Sequence, residues 1–152
     1  MALPNIFTKA VSDQLIERIN KLNPDTQPKW GKMSVAEMLA HCCVSYEMIY
    51  ENKYPRPNAI MKFVIKLLAK NAVVNEEPYK HSERTAPQFI IAGKRDFSVE
   101  KKRLVEYINK TQQLGESYFD NKESHSFGTL NKTEWNNMLY KHLNHHLSQF
   151  GV

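Results

Sequence analysis

The chain has 152 residues, of which 41% are hydrophobic and 24% are charged, and this predicts one globular domain over residues 1–152. No apolar run approaches the roughly 20 residues that a membrane-spanning helix needs, and the first residues do not resemble an export signal, so we expect a cytoplasmic protein that binds no membrane. The net charge of +5 comes from lysines scattered along the chain, which disfavours nucleic acid as a partner.

Helical periodicity dominates the first half of the chain. One apolar stripe predicts a helix over residues 6–22, which Asn23-Pro24 ends because proline disfavours helix in the residue before it. A second helix begins at Ser34, which with Glu37 fits a capping box. The adjacent Cys42 and Cys43 lie in this helix and cannot form an unstrained disulfide, which indicates a reducing compartment. A third, strongly apolar helix is predicted over residues 58–73.

The second half begins with an irregular connection over residues 74–95, which is unusually long for a compact domain. We expect it to pack across the helices or to cover a cleft. A fourth helix is predicted over residues 97–118, and a polar loop then leads to a last helix that ends near Phe150. Asn131 and Glu134 fit its cap. The chain is therefore predicted to be an all-α bundle of four main helices with an additional short helix.

Three histidines of the last helix allow a directional prediction. At about 100° per residue, His146 lies about 40° from His142 within the apolar face, while His145 falls at the edge of that face. Gln149 shares the inward face. Buried imidazoles need partners for their nitrogens, and a divalent metal ion is such a partner, because residues four apart on a helix can place two nitrogens on one ion.

A third ligand must come from another helix, and His41 flanks the apolar stripe of the second helix. Three imidazoles would leave one coordination position open, where a bound water is acidified. Glu37 could be a fourth ligand or could hydrogen-bond a ligand, although its capping role already explains it. His145 and Gln149 are further candidates for hydrogen bonds to the ligands. The alternative is that the histidines only hydrogen-bond to each other or to Gln149.

Other residues have simpler interpretations. His81 and His125 are predicted to lie in solvated loops, and Trp30 and Trp135 are predicted to be core residues. Lys62, Lys66 and Lys70 are spaced by four, which is typical of the solvated face of an amphipathic helix.

Three segments resemble the DinB/YfiT-like superfamily. The stretch KMSVAEMLAH, residues 32–41, is similar to its second-helix segment, and HLNHHLSQFG, residues 142–151, is similar to its last-helix motif. SHSFGTLNKTEW, residues 124–135, resembles an uncharacterised branch of that superfamily. Together these segments extend the resemblance over nearly the whole chain.

The resemblance implies an up-down-down-up four-helix bundle in which His41, His142 and His146 bind a divalent metal ion, most often zinc or nickel. Relatives include S-transferases and isomerases that use low-molecular-weight thiols, proteins induced by DNA damage, and many homodimers. The chain departs from the common pattern at Leu147-Ser148, where an arginine-glycine pair is frequent. That difference bears on the activity more than on the fold.

Two classes of function follow. One is a metal-dependent enzyme, an S-transferase or hydrolase in type, whose ion activates a thiol or water against a small-molecule substrate. The other is a non-catalytic stress-response or binding module that keeps a structural or vestigial histidine site. Neither the substrate nor a general acid or base can be named from the sequence.

Overall fold

The computed structural model describes residues 2–81 and 85–152. These residues are mostly helical, as the sequence predicts. The five helices are α1 (Lys9–Asn20), α2 (Val35–Tyr50), α3 (Ala59–Val74), α4 (Phe97–Phe119) and α5 (Lys132–Gln149). In these two ranges no helix combines the length and apolar character needed to cross a membrane.

A two-stranded hairpin between α4 and α5 was not predicted. Strands β1 (Lys122–Glu123) and β2 (Thr129–Leu130) pair antiparallel, and Ser124 closes the turn by donating its backbone N–H and its hydroxyl to the carbonyl of Gly128. Each strand has only two residues, which is too short for the alternating pattern that reveals a strand in a sequence.

Both helices that carry the candidate site begin with a capping box. The hydroxyl of Ser34 accepts from the N–H of Glu37, whose carboxylate accepts from the N–H of Ser34. Asn131 and Glu134 form the same pair of bonds at α5. Since the free N–H groups of a first turn need acceptors, the two predicted starts are confirmed and fix where each helix enters the fold.

The core lies between α1, α2, α4 and α5. Its largest fully buried side chains include Trp135, as predicted, and its other members come from all four helices: Leu15, Ile19, Met38, Leu39, Tyr46, Leu104, Ile108 and Leu139. The thiols of Cys42 and Cys43 are both free and buried in it. Trp30 is only half-buried, so the prediction that it belongs to the core is wrong. Its ring stacks on that of His81.

None of the residues of helix α3 is buried, and of its apolar side chains Val74 packs against this core. Lys62 forms an ion pair with Glu123, and Lys70 pairs with Glu134 at 2.7 Å. Two of the three lysines therefore hold α3 against β1 and α5, while the side chains of Ile60, Phe63 and Leu67 face solvent. The interpretation of the lysine row as a solvated face fails for these two lysines, because their partners lie on other elements.

The connection between α3 and α4 contains a short 3₁₀ turn, Pro87–Phe89, and that turn packs against α2. Phe89 is half-buried and its backbone carbonyl faces His41. The turn at Pro87–Phe89 thus lies beside His41 and His142.

Candidate metal centre

The structure brings His41, His142 and His146 together from two helices. One nitrogen from each ring lies within 4.8 Å of the others, and the Nε2 atoms of His41 and His142 are 3.0 Å apart. His41 and His146 are buried and His142 is half-buried. His142 and His146 are one turn apart on α5 and both point inward, as the sequence predicts, and their rings meet edge to face with centroids 4.9 Å apart.

The Nδ1 atom of each ring has its own partner outside this cluster. That of His41 donates to the carbonyl of Phe89 at 2.8 Å, and that of His146 donates to Oε1 of Gln149 at 2.8 Å. Gln149 cannot be turned around, because its Nε2 donates to the carbonyl of Trp30 at 2.7 Å. A carbonyl oxygen only accepts, so His41 and His146 each direct an Nε2 lone pair at the common centre.

His142 is the ring whose tautomer can change. Its Nδ1 lies 3.0 Å from the hydroxyl of Ser45, which can donate or accept. With the proton on Nε2, His142 donates to His41. With the proton on Nδ1, it donates to Ser45 and a third lone pair faces the centre. Three nitrogen donors, each oriented by a further hydrogen bond, are a donor set that suits a divalent ion such as zinc.

The electrostatics of the cluster favour neutral rings. Burial lowers the pKa of His142 well below its usual value, and the neighbouring His146 and His41 lower it further. Burial followed by the nearby His41 lowers the pKa of His146 to about 3, against the opposing effect of its bond to Gln149. Burial also lowers the pKa of His41, which its bond to Phe89 only partly offsets. Neutral imidazole is the form that binds a metal ion.

A groove of about 1110 Å³ opens beside the histidines. Helices α2, α3 and α5 form its walls, and the connection around Phe89 borders one side. His41, His142 and His146 all line this space, so the cluster is accessible to a small molecule. Most of the remaining lining is apolar.

The other residues named from the sequence lie around this centre or away from it. His145 sits at the edge, with its ring against those of Trp30, Tyr79 and His81. Glu37 is outside the three-histidine group, and its carboxylate caps α2. His125 is half-buried beside the hairpin, where it contacts Ser126 and the carbonyl of Tyr54.

Two contributors were missed by the sequence analysis. Ser45 follows His41 by four residues, so the same spacing argument that joined His142 and His146 could have identified it. The carbonyl of Phe89 could not have been found, since a backbone group in an irregular segment leaves no pattern in the sequence.

Fold and site together define a helical protein with a three-histidine centre at the edge of an apolar groove. Residues 7–151 match the family described as "Protein of unknown function (DUF1569)", and the chain belongs to this family. Comparisons with curated proteins and with solved structures find no match.

Proposed function

We propose that the protein is a metal-dependent enzyme of the DinB/YfiT-like type. His41, His142 and His146 would hold a divalent ion, zinc or nickel, and the ion would supply Lewis-acid activation of a thiol or water. The observation that carries this proposal is that three neutral imidazoles with oriented rings converge at the edge of an open groove. The up-down-down-up arrangement of α1, α2, α4 and α5 belongs to the same proposal.

The residues around the histidines would orient their rings and shape the approach of a substrate. Phe89, Ser45 and Gln149 fix the ring orientations through Nδ1, which keeps the three donors in place before an ion binds. The groove side of the cluster remains open to a substrate. A substrate that fills the groove would displace water from the reacting groups and so strengthen electrostatic interactions there.

A non-catalytic module is the alternative function. The 3.0 Å contact between His41 and His142 favours it, since that bond can satisfy both rings without an ion. The groove beside the histidines favours the enzyme, because a purely structural metal site has its coordination positions filled by the protein.

Metal stoichiometry tests the proposal directly. The protein, prepared without a histidine tag and stripped with a chelator, is expected to bind one equivalent of zinc or nickel and to unfold at a higher temperature when loaded. His142→Ala should lower the metal affinity at least a hundredfold. His125→Ala is the matched control, since His125 lies outside the cluster, and it should bind as the unmodified chain does. Sub-stoichiometric binding without a thermal shift would contradict the proposal.

Cobalt substitution separates the enzyme from the module. A cobalt-loaded catalytic site has an exchangeable position, so a low-molecular-weight thiol is expected to change its visible absorption spectrum. A closed structural site should leave the spectrum unchanged, and that result would favour the non-catalytic alternative.

A further inference from the structure

The groove is long and its apolar lining is uncovered. Trp135 and Gln149 both border it, and a helical rise of about 1.5 Å per residue places these two positions of α5 about 21 Å apart. On the opposite wall, the α3 side chain of Leu68 lines the groove and is 77% exposed, and that of Val64 is 39% exposed. Covering such surface with an apolar ligand is favourable, because apolar area leaves water.

The charge of the lining has one sign. Among its described residues the groove has no aspartate or glutamate, while Lys32, Arg56 and Lys80 border it. No ion pair joins Lys32 or Lys80 to another residue of the described ranges, whereas Arg56 lies near Glu123 and lowers the pKa of that carboxyl group. All three are solvent-exposed, so their positive charges lie at the rim and not among the apolar side chains.

We propose that this groove binds a straight-chain aliphatic carboxylate, with the chain along α3 and the acid group at the rim beside Lys32 and Lys80. The apolar wall matches the chain, and the positive charges of Lys32 and Lys80 match the head group. That this carboxylate is a substrate rests on the proposed function. Its binding, however, depends on the groove and not on the ion.

Tryptophan fluorescence measures the binding in the full-length chain. The protein has two tryptophans, Trp30 and Trp135, and both border the groove. Metal-free protein is titrated with decanoate, octanoate and hexanoate below their micelle concentrations. Affinity should fall by up to about fourfold for each methylene removed. An affinity that does not depend on chain length would overturn the proposal.

Two adjacent leucines of α3 provide a matched pair of variants. Leu68 lines the groove, whereas Leu67, which is 72% exposed, does not. Both are surface positions without buried contacts, so neither change should affect folding. Leu68→Gln should weaken decanoate binding at least fivefold, and Leu67→Gln should change it less than twofold. Equal effects would show that the chain lies elsewhere, and the proposal would then be wrong.

The head group is tested with ligands and with charge variants. Decanol should bind at least fivefold more weakly than decanoate, and the double change Lys32→Gln with Lys80→Gln should remove that difference. Lys66→Gln is the control, because Lys66 is exposed on α3 but does not line the groove. Decyl phosphate binding tenfold more tightly than decanoate would overturn the carboxylate assignment.

His142→Ala distinguishes failure of this inference from failure of the proposed function. If the protein binds metal but its carboxylate affinity does not depend on chain length, the proposed metal centre is supported and the proposed carboxylate ligand is wrong. Decanoate binding that persists in His142→Ala would support the groove independently of the ion. A second copy of the chain is the other possible occupant of the groove. If Leu68→Gln changes the oligomeric state and the unmodified chain binds no decanoate, the groove is a self-association surface and the inference is wrong.

Discussion

Hydrogen bonds at Nδ1 decide what the three histidines can do. A pair of histidines four residues apart is common by chance, and spacing alone leaves the ring nitrogens undefined. In this protein Phe89, Gln149 and Ser45 each form a hydrogen bond with the Nδ1 atom of one histidine. The Nε2 atoms face inward as a consequence. Ser45 is the adjustable member of the three, because its hydroxyl can either donate or accept.

Replacing Ser45 tests this role. Ser45→Ala removes the partner of His142 Nδ1 and is expected to lower zinc affinity by roughly 10- to 100-fold, because the donating tautomer of His142 loses its acceptor. Isothermal titration of the chelator-stripped protein measures the change. Ser117→Ala, on the exposed face of α4, is the control. Unchanged affinity in Ser45→Ala would mean that packing alone orients His142.

Local sequence signals predicted where the two helices of the site begin. They did not predict features that depend on contacts with another element. The capping boxes at Ser34 and Asn131 were predicted because a cap depends on residues within one turn. The exposure of the α3 side chains was not predicted, because Lys62 and Lys70 form ion pairs with glutamates that are far away in sequence. The periodic pattern of a helix does not tell which of its faces meets the rest of the protein.

Helix α4 contains a break that its apolar periodicity conceals. Gly115 has φ 71° and ψ 170° inside the helix, a region that only glycine adopts without strain. Apart from its chain neighbours and the nearby backbone of α4 itself, no atom lies within 4 Å of where a Cβ would be. The conformation itself, and not crowding, therefore requires glycine at this position.

Gly115→Ala is accordingly expected to lower the free energy of unfolding by about 1–3 kcal/mol. Urea denaturation measures the loss, with Gln113→Ala, an exposed position two residues earlier, as the reference substitution. A loss no larger than that of Gln113→Ala would indicate that α4 can straighten at this point without cost.

Burial of the histidine cluster links the stability of the whole molecule to pH. His41, His142 and His146 have a lowered pKa, whereas an unfolded histidine takes up its proton near pH 6.5. Between that pH and about 3, the folded value for His146, the unfolded chain binds more protons than the metal-free folded protein. The free energy of unfolding therefore falls as the pH falls through this range.

Denaturation of the metal-free protein at pH 7.5 and pH 5.5 tests the linkage. Each histidine contributes a fall that approaches about 1.4 kcal/mol per pH unit once its unfolded form is protonated. His146→Gln should show a smaller fall than the unmodified chain, and His125→Gln should match the unmodified chain. An equally steep fall in His146→Gln would show that other groups cause the pH dependence.

The sequence by itself determined what depends on neighbours within a few turns of helix. Spacing along the chain sets the helical periodicity, the two capping boxes and the inward direction of His142 and His146. The structure agrees with these predictions. Only the tertiary structure decided how α3 is oriented, where the groove opens and which carbonyl accepts the hydrogen bond from Nδ1 of His41. Those features join residues far apart in sequence, and no periodicity records such contacts.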